Sequence, residues 1–105
     1  MRRGEIWLAN LDPTVGSAIK KSRPFVVVSP AELNDHLRTV MVCPMTSKGF
    51  AAPFRVPVKH GGIDGLILLD QVRAVDKARL VKKLGAVSAK TLSAALSTLQ
   101  EVFTE

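Results

Sequence analysis

The sequence predicts a mainly β domain of the α+β kind: a small, strongly curved barrel of about six or seven short strands with short helices and a C-terminal amphipathic helix. Three observations predict it. The apolar runs are short and rich in β-branched residues, as at residues 25–28 and 40–43. Glycine and proline punctuate the chain between them. Towards the end, Leu92, Leu96, Leu99 and Phe103 recur at spacings of 4, 3 and 4, with Ala95 between, which makes one apolar helical stripe.

Residues 5–11 read as the first strand, with Ile6, Leu8 and Asn10 on one face and Glu5, Trp7 and Ala9 on the other. Trp7 is expected half-buried. Asp12-Pro13 ends this strand, and a thirteen-residue loop, residues 12–24, leads to the next. A loop of that length in so small a domain suits a functional segment, and its basic content suits a lid over a charged ligand. Residues 25–28 and 40–43 are the next two strands. Between them Ser29-Pro30 signals a helix start, with Ser29 as cap and a short helix to about residue 36, where His36 is exposed. Ser47-Lys48-Gly49 is a turn. Residues 54–58 alternate and hold prolines, so they read as an edge strand. Residues 59–62 form a turn, and residues 65–70 a central strand that residues 70–76 continue. Residues 77–83 are a basic turn or short helix and residues 84–87 a last strand. Ser88 then caps a helix running to about Phe103.

The 105 residues form a single domain, 1–105, and that length buries a core without disulfides. Apolar residues make up 47%, so the chain is globular. The net charge of +6 is spread along the chain and points to an anionic partner, nucleic acid first. The lone Cys43 excludes an internal disulfide and reads as a buried small hydrophobe. The N-terminus has no apolar leader, and no run reaches the ~20 residues of a membrane span, so a cytoplasmic protein with no membrane association is expected.

If the two strands around residues 25–28 and 40–43 pair antiparallel, Arg23 and Thr46 meet on one rim of the sheet. A guanidinium beside a hydroxyl, flanked by Lys20, Lys21 and Lys48, suits a phosphate. Solvated strand ends are the alternative. Phe50 is either a base-stacking aromatic or a core or rim residue. Asp70 and Gln71 interrupt an apolar run, and Asp70 is expected to brace backbone amides or an arginine. His36 and His60 are far apart in sequence, no Cys/His cluster has zinc spacing, and no Gly-rich phosphate loop precedes a helix. No metal or other cofactor is expected.

Five stretches carry a family resemblance. Arg3-Gly4-Glu5-Ile6-Trp7, Leu11-Asp12-Pro13-Thr14-Val15-Gly16-Ser17, Ser22-Arg23-Pro24-Phe25-Val26-Val27-Val28-Ser29-Pro30, Cys43-Pro44-Met45-Thr46 and Leu69-Asp70-Gln71-Val72-Arg73 resemble, in order, the pattern of the MazF/PemK toxins. The resemblance implies an SH3-like barrel, a homodimer and the toxin of a toxin–antitoxin pair. It implies metal-independent, sequence-selective cleavage of single-stranded RNA (mRNA), and neutralisation by a cognate acidic antitoxin. It assigns Arg23 and Thr46 to the scissile phosphate, with Asp70 as a further catalytic candidate. Lys20, Lys21, Ser47 and Lys48 are the candidate RNA contacts on the loops, joined by Phe50, Phe54 and Gln71. Two departures stand out. Many members carry acidic or histidine residues after the loop glycine, where this chain has Ser17-Ala18-Ile19. Some place an arginine two residues before the aspartate, where this chain has Leu68. The alternatives are a gyrase-poisoning toxin of the same fold and a non-catalytic RNA-binding barrel. Gyrase poisons depend on a tail ending in tryptophan, glycine and a branched residue, whereas this chain ends Phe103-Thr104-Glu105.

Overall fold

The computed structural model describes residues 1–11 and 22–105, the side chain of residue 63 excepted. Among the described residues there are seven strands: β1 (Glu5–Asn10), β2 (Ser22–Val27), β3 (Thr39–Thr46), β4 (Arg55–His60), β5 (Ile63–Leu68), β6 (Arg73–Asp76) and β7 (Leu80–Ala86). A one-turn helix α1 (Ala31–Asn34) follows β2, and helix α2 (Ala89–Val102) closes the chain. All pairings are antiparallel, in the order β4-β5-β3-β2-β1-β7, with β6 on β3 as well.

β3 is the hub. One side takes β2. The other side takes β6 along its first half and β5 at its end. Four steps along β3, from Thr46 to Val42, face seven on the other side, from Leu66 to Arg73. The three extra residues are Leu69, Asp70 and Gln71, which form a 3₁₀ turn. The expected continuous strand through residues 65–76 is therefore broken there. The turn drops Leu69 into the core and leaves Asp70 and Gln71 at the surface.

The centre of the sheet is buried on both faces, which is why its strands read as apolar runs and not as alternation. Val26, Val28, Cys43, Met45, Ile67 and Leu69 face one core together with Ile6 and Ala95. Phe25, Val27, Val40 and Val42 face the other, with Ala9, Val75, Leu80 and the half-buried Trp7. The stripe of α2 docks on the first core through Ala95, Leu96 and Leu99. Phe103, expected in that stripe, sits just past the helix and is 72% exposed. Ser88 caps α2 as expected, accepting from the Thr91 amide at 3.1 Å.

Other boundaries move. Ser29 does not cap α1; Pro30 occupies that position. The Ser29 hydroxyl instead donates to Asn34 Oδ1 and accepts from the Met41 amide at 3.0 Å, tying α1 to β3. α1 stops at Asn34, and His36 lies exposed beyond it. β2 begins at Ser22, so Arg23 and Pro24 belong to a strand and the thirteen-residue loop is shorter; its remainder, residues 12–21, lies outside the described residues. β4 runs on through Lys59 and His60, leaving Gly61-Gly62 as the turn, and Phe54 precedes it at φ +29°. β7 starts at Leu80 rather than residue 84, and the basic turn shrinks to Lys77–Arg79.

The β1–β7 ladder carries a polar cluster. Glu5 Oε1 accepts from the Trp7 indole N–H at 2.9 Å and the Arg2 amide at 3.0 Å, while Lys83 Nζ lies 2.9 Å from Oε2. Partial burial pushes the Glu5 carboxyl up, but the Trp7, Arg2 and Lys83 donors outweigh it and hold the group at about 2. A carboxyl depressed in the fold stabilises it fully above the unfolded value of 4.5, and that contribution is lost as pH falls toward 2. We expect about 2–3 kcal/mol to vanish over that window. Urea unfolding at pH 7 and pH 3 checks this: Glu5→Gln should remove most of the pH dependence.

Candidate active site

The groove that carries the chemistry forms where the β2–β3 ladder stops. The paired residues run from Val27–Val42 through Val26–Cys43 to Phe25–Pro44. The next positions are Pro24 on β2 and Met45 on β3. Pro24 has no N–H, so the ladder bond it would give to Met45 is missing. The same register carried two residues further puts Arg23 across from Thr46. The two line one groove of about 370 Å³ with Ser47, His60, Asp64 and Gly65, over an apolar floor that includes Met45, Val58 and Leu84. Both residues lie within their strands, not beside them as the sequence suggests, and are held by backbone pairing: Arg23 against Ala9, Thr46 against Leu66. The Thr46 hydroxyl oxygen accepts from the Lys48 amide at 3.1 Å, which leaves its O–H free to donate into the groove.

Two glycines shape this groove. A Cβ on Gly65 would lie 2.6 Å from the Thr46 carbonyl oxygen, so β5 reaches Thr46 only because that side chain is missing. A Cβ on Gly85 would lie 3.0 Å from His60 Cε1, and Gly85 has φ +153°. Gly85 sits at a register shift in β7, where Ile6 pairs with Gly85 but Trp7 with Lys83. β4 and β7 are the two ends of the sheet order. The His60–Gly85 contact is thus where the sheet has curled until its ends touch.

A second cluster lies on the other side of Thr46. Asp70 Oδ1 is 3.5 Å from Arg55 Nε, and the Arg55 guanidinium stands 5.2 Å from the centre of the Phe50 ring, which is 73% exposed. The expected arginine partner of Asp70 is therefore real, and it comes from β4. Arg55 pairs with Leu68 across the β4–β5 ladder, so a neighbouring strand supplies the guanidinium that Leu68 lacks. A Gly49 Cβ position would be 3.8 Å from Thr46 Cγ2 and 3.9 Å from Arg55 Nη1, so the two clusters adjoin. Phe54 borders this cluster, its carbonyl accepting from the Leu69 amide at 3.0 Å.

Of the candidates read from sequence, Arg23, Thr46 and Ser47 come together in the groove, and Phe50 and Asp70 meet through Arg55. Gln71 and the Lys48 side chain are exposed nearby, and Lys20 and Lys21 lie outside the described residues. His60, Asp64 and Arg55 were missed. Their signal is faint: His60 and Asp64 flank a Gly-Gly turn, and only the hairpin's approach to Thr46 brings them to the groove. Cys43 is buried, and that burial, with the Asp70 charge adding, pushes its thiol up to about 12, so it is no nucleophile. A larger groove of about 710 Å³ lies against α2, and its polar groups are engaged within the chain: Arg3 Nε donates to the Val28 carbonyl, and the Ser29 and Thr104 hydroxyls donate to Asn34 and to the Gln100 carbonyl.

Residues 2–103 match the model of a family described as PemK-like, MazF-like toxin of type II toxin–antitoxin system. The endoribonuclease PemK of Escherichia coli is 41% identical over 110 residues, covering 99% of this chain and 83% of that protein. The endoribonuclease MazF of Staphylococcus saprophyticus is 36% identical over 98 residues, covering 88% and 82%. A crystal structure of MazE–MazF from Deinococcus radiodurans superimposes with a TM-score of 0.80 at 27% identity, covering 97% of this chain and 93% of that one.

The Gly65 contact yields an expectation. Gly65→Ala should cost about 1–3 kcal/mol, the usual range for overpacking. It should also shift the Ser47 amide resonance, because the Thr46 carbonyl in the same peptide plane must move. Urea unfolding and an amide correlation spectrum check the two together.

Proposed function

Because the chain belongs to the PemK-like, MazF-like toxin family of type II toxin–antitoxin systems, we propose that it is a toxin that cuts single-stranded RNA at the Arg23–Thr46 groove. The observation that carries this reading is a guanidinium and a free-donating hydroxyl facing each other across a cleft on a chain of net charge +6. Such a pair fits the equatorial oxygens of a phosphate. The nucleophile is the RNA's own 2′-hydroxyl, already beside the phosphorus, so proximity lowers much of the barrier. As the 2′-oxygen bonds to phosphorus, negative charge grows on the non-bridging oxygens. Arg23 stabilises that charge with its planar fork, and Thr46 adds a hydrogen bond. The P–O5′ bond breaks, leaving a 2′,3′-cyclic phosphate and a 5′-hydroxyl. These groups belong to the chain itself, so cleavage should be insensitive to EDTA.

Asp70 is better suited to holding Arg55 than to meeting the phosphate, since its carboxylate already faces that guanidinium. Phe50, Arg55 and Gln71, with Phe54 close by, offer aromatic and polar surface to bases beside the cut. Ser47 and Lys48, and Lys20 and Lys21 on the first loop, supply backbone contacts. The partner that silences the toxin is an acidic antitoxin segment competing for the same basic surface; the related Deinococcus structure is a MazE–MazF complex. The protein acts in the cytoplasm; among the described residues no helix is long and apolar enough to cross a membrane.

Replacing one such charge-stabilising donor costs ~10²–10³ in rate. Arg23→Ala should show that loss with an unchanged circular dichroism spectrum, and Arg23→Lys should recover little of it. Thr46→Ala should slow cleavage less. An RNA with one 2′-deoxy nucleotide at the cut position decides the mechanism, since cleavage of that bond would exclude 2′-hydroxyl attack.

The active unit is a homodimer. The groove against α2, largely apolar through Met41, Val72, Leu96 and Leu99 and with Phe103 exposed at its rim, offers a surface for a second copy. Light scattering at micromolar concentration should give twice the 11.3 kDa chain mass.

A further inference from the structure

We propose that His60 is the general base of the cleavage reaction, taking the proton from the attacking 2′-hydroxyl. The inference rests on the RNA-cleaving reading above and supplies the proton acceptor that Arg23 and Thr46 cannot. A guanidinium stays protonated at any working pH, and a threonine hydroxyl is far too weak a base. Two other titratable groups line the same groove, His60 and Asp64. Asp64 is turned outward: its side chain is 86% exposed, and its carboxylate lies 3.8 Å from Lys59 Nζ. His60 is half-buried, at the last position of β4.

Its placement is built by the fold. The imidazole lies on the backbone of Gly85 from the opposite end of the sheet, with no side chain to displace it. That contact fixes the ring at the barrel's closure, beside the rim where Arg23 and Thr46 face each other. The charged groups facing the ring are few among the described groove residues. β2 brings Arg23 and β5 brings Asp64. The end of β3 and the turn after it bring only the hydroxyls of Thr46 and Ser47, and β7 brings Leu84 and Gly85. A neutral imidazole carries one basic ring nitrogen, the group a general base needs.

The step balances. A ring nitrogen of His60 accepts the 2′-hydroxyl proton as the 2′-oxygen bonds to phosphorus. The P–O5′ bond breaks, its electron pair goes to O5′, and O5′ takes a proton from water. The imidazolium then returns its proton to solvent.

The alternative is that His60 only fills the seam between β4 and β7. Two variants of the full-length protein separate the roles. His60→Gln keeps a polar side chain of similar size on Gly85 but carries no titratable nitrogen; His60→Ala opens a space. Both should cleave ~10²–10⁴-fold more slowly, the usual value of a positioned acid–base group. RNA affinity, measured with the non-cleavable 2′-deoxy substrate, should change by less than about threefold. Added imidazole should speed His60→Ala in proportion to its free-base concentration and leave Arg23→Ala unaffected. If His60→Ala does not fold, the His60→Gln rate decides. Wild-type-like cleavage by His60→Gln would overturn the proposal and leave a packing role, as would a folded His60→Ala that imidazole does not rescue. Failure of the underlying reading looks different: the wild-type protein itself would leave RNA uncut, or would cut the 2′-deoxy bond.

Discussion

The backbone of Gly65 passes the carbonyl of Thr46 so closely that no Cβ fits between them. This contact joins β5 to the end of β3, and the β4–β5 hairpin arrives with it. Because the hairpin is held there, His60, Asp64 and Val58 reach the groove that Arg23 and Thr46 border. The adjoining β2–β3 ladder is constrained in the opposite sense. Pro24 withholds the hydrogen bond that would extend the ladder to Met45. One edge of β3 is drawn tight and the other is left open, and the cleft is the difference between them.

Rigidity around that cleft comes from a sheet buried on both sides. Ile6, Ile67 and Leu69 are fully buried, and each such side chain is worth about 1.5–3 kcal/mol of transfer free energy. α2 and the curled-over strands β4 and β5 enclose one core, and Met1, Trp7 and Leu11 pack against the other. The three-residue turn at Leu69–Gln71 uses this arrangement. Leu69 anchors in the core, so Asp70 is presented to Arg55 from a fixed point. A charged pair on a mobile loop would gain little from such an ion pair, since exposed pairs contribute only ~0–1 kcal/mol. Its value here is orientation: Arg55 is aimed over Phe50 and toward the Gly49–Thr46 bend.

The electrostatics divide the molecule. Glu5 is satisfied by the Trp7, Arg2 and Lys83 donors and serves the β1–β7 seam. Lys83 is thereby withdrawn from the free positive charge. Arg23 is exposed at the groove, with Lys48 on the bend beside it. A structural carboxylate neutralises a cation at the barrel seam, while the cations on the groove rim stay available to an anionic chain.

The sequence by itself determined the strands, the closing helix and the family. Local signals were strong there: β-branched runs at residues 25–28 and 40–43, a Ser88 cap, and apolar spacing through Leu92, Leu96 and Leu99. It also placed Arg23 near Thr46, because an antiparallel pairing with fixed register is a local consequence of two strands and a short connection. What failed was whatever depends on contacts between elements remote in sequence. The break at Leu69–Gln71 was read as unbroken strand, since its residues alternate acceptably and only the two partners along β3 demand three extra residues. Phe103 fits the helical stripe, yet α2 leaves its core face before reaching it. Arg55 and His60 carry no motif, because nothing in their own neighbourhood marks them. They join the site through the curl of the sheet, which brings β4 against Asp70 at one end and against Gly85 at the other. Closure of a barrel is a sum over all its strands, so which side chains meet at the seam was decided only by the tertiary structure.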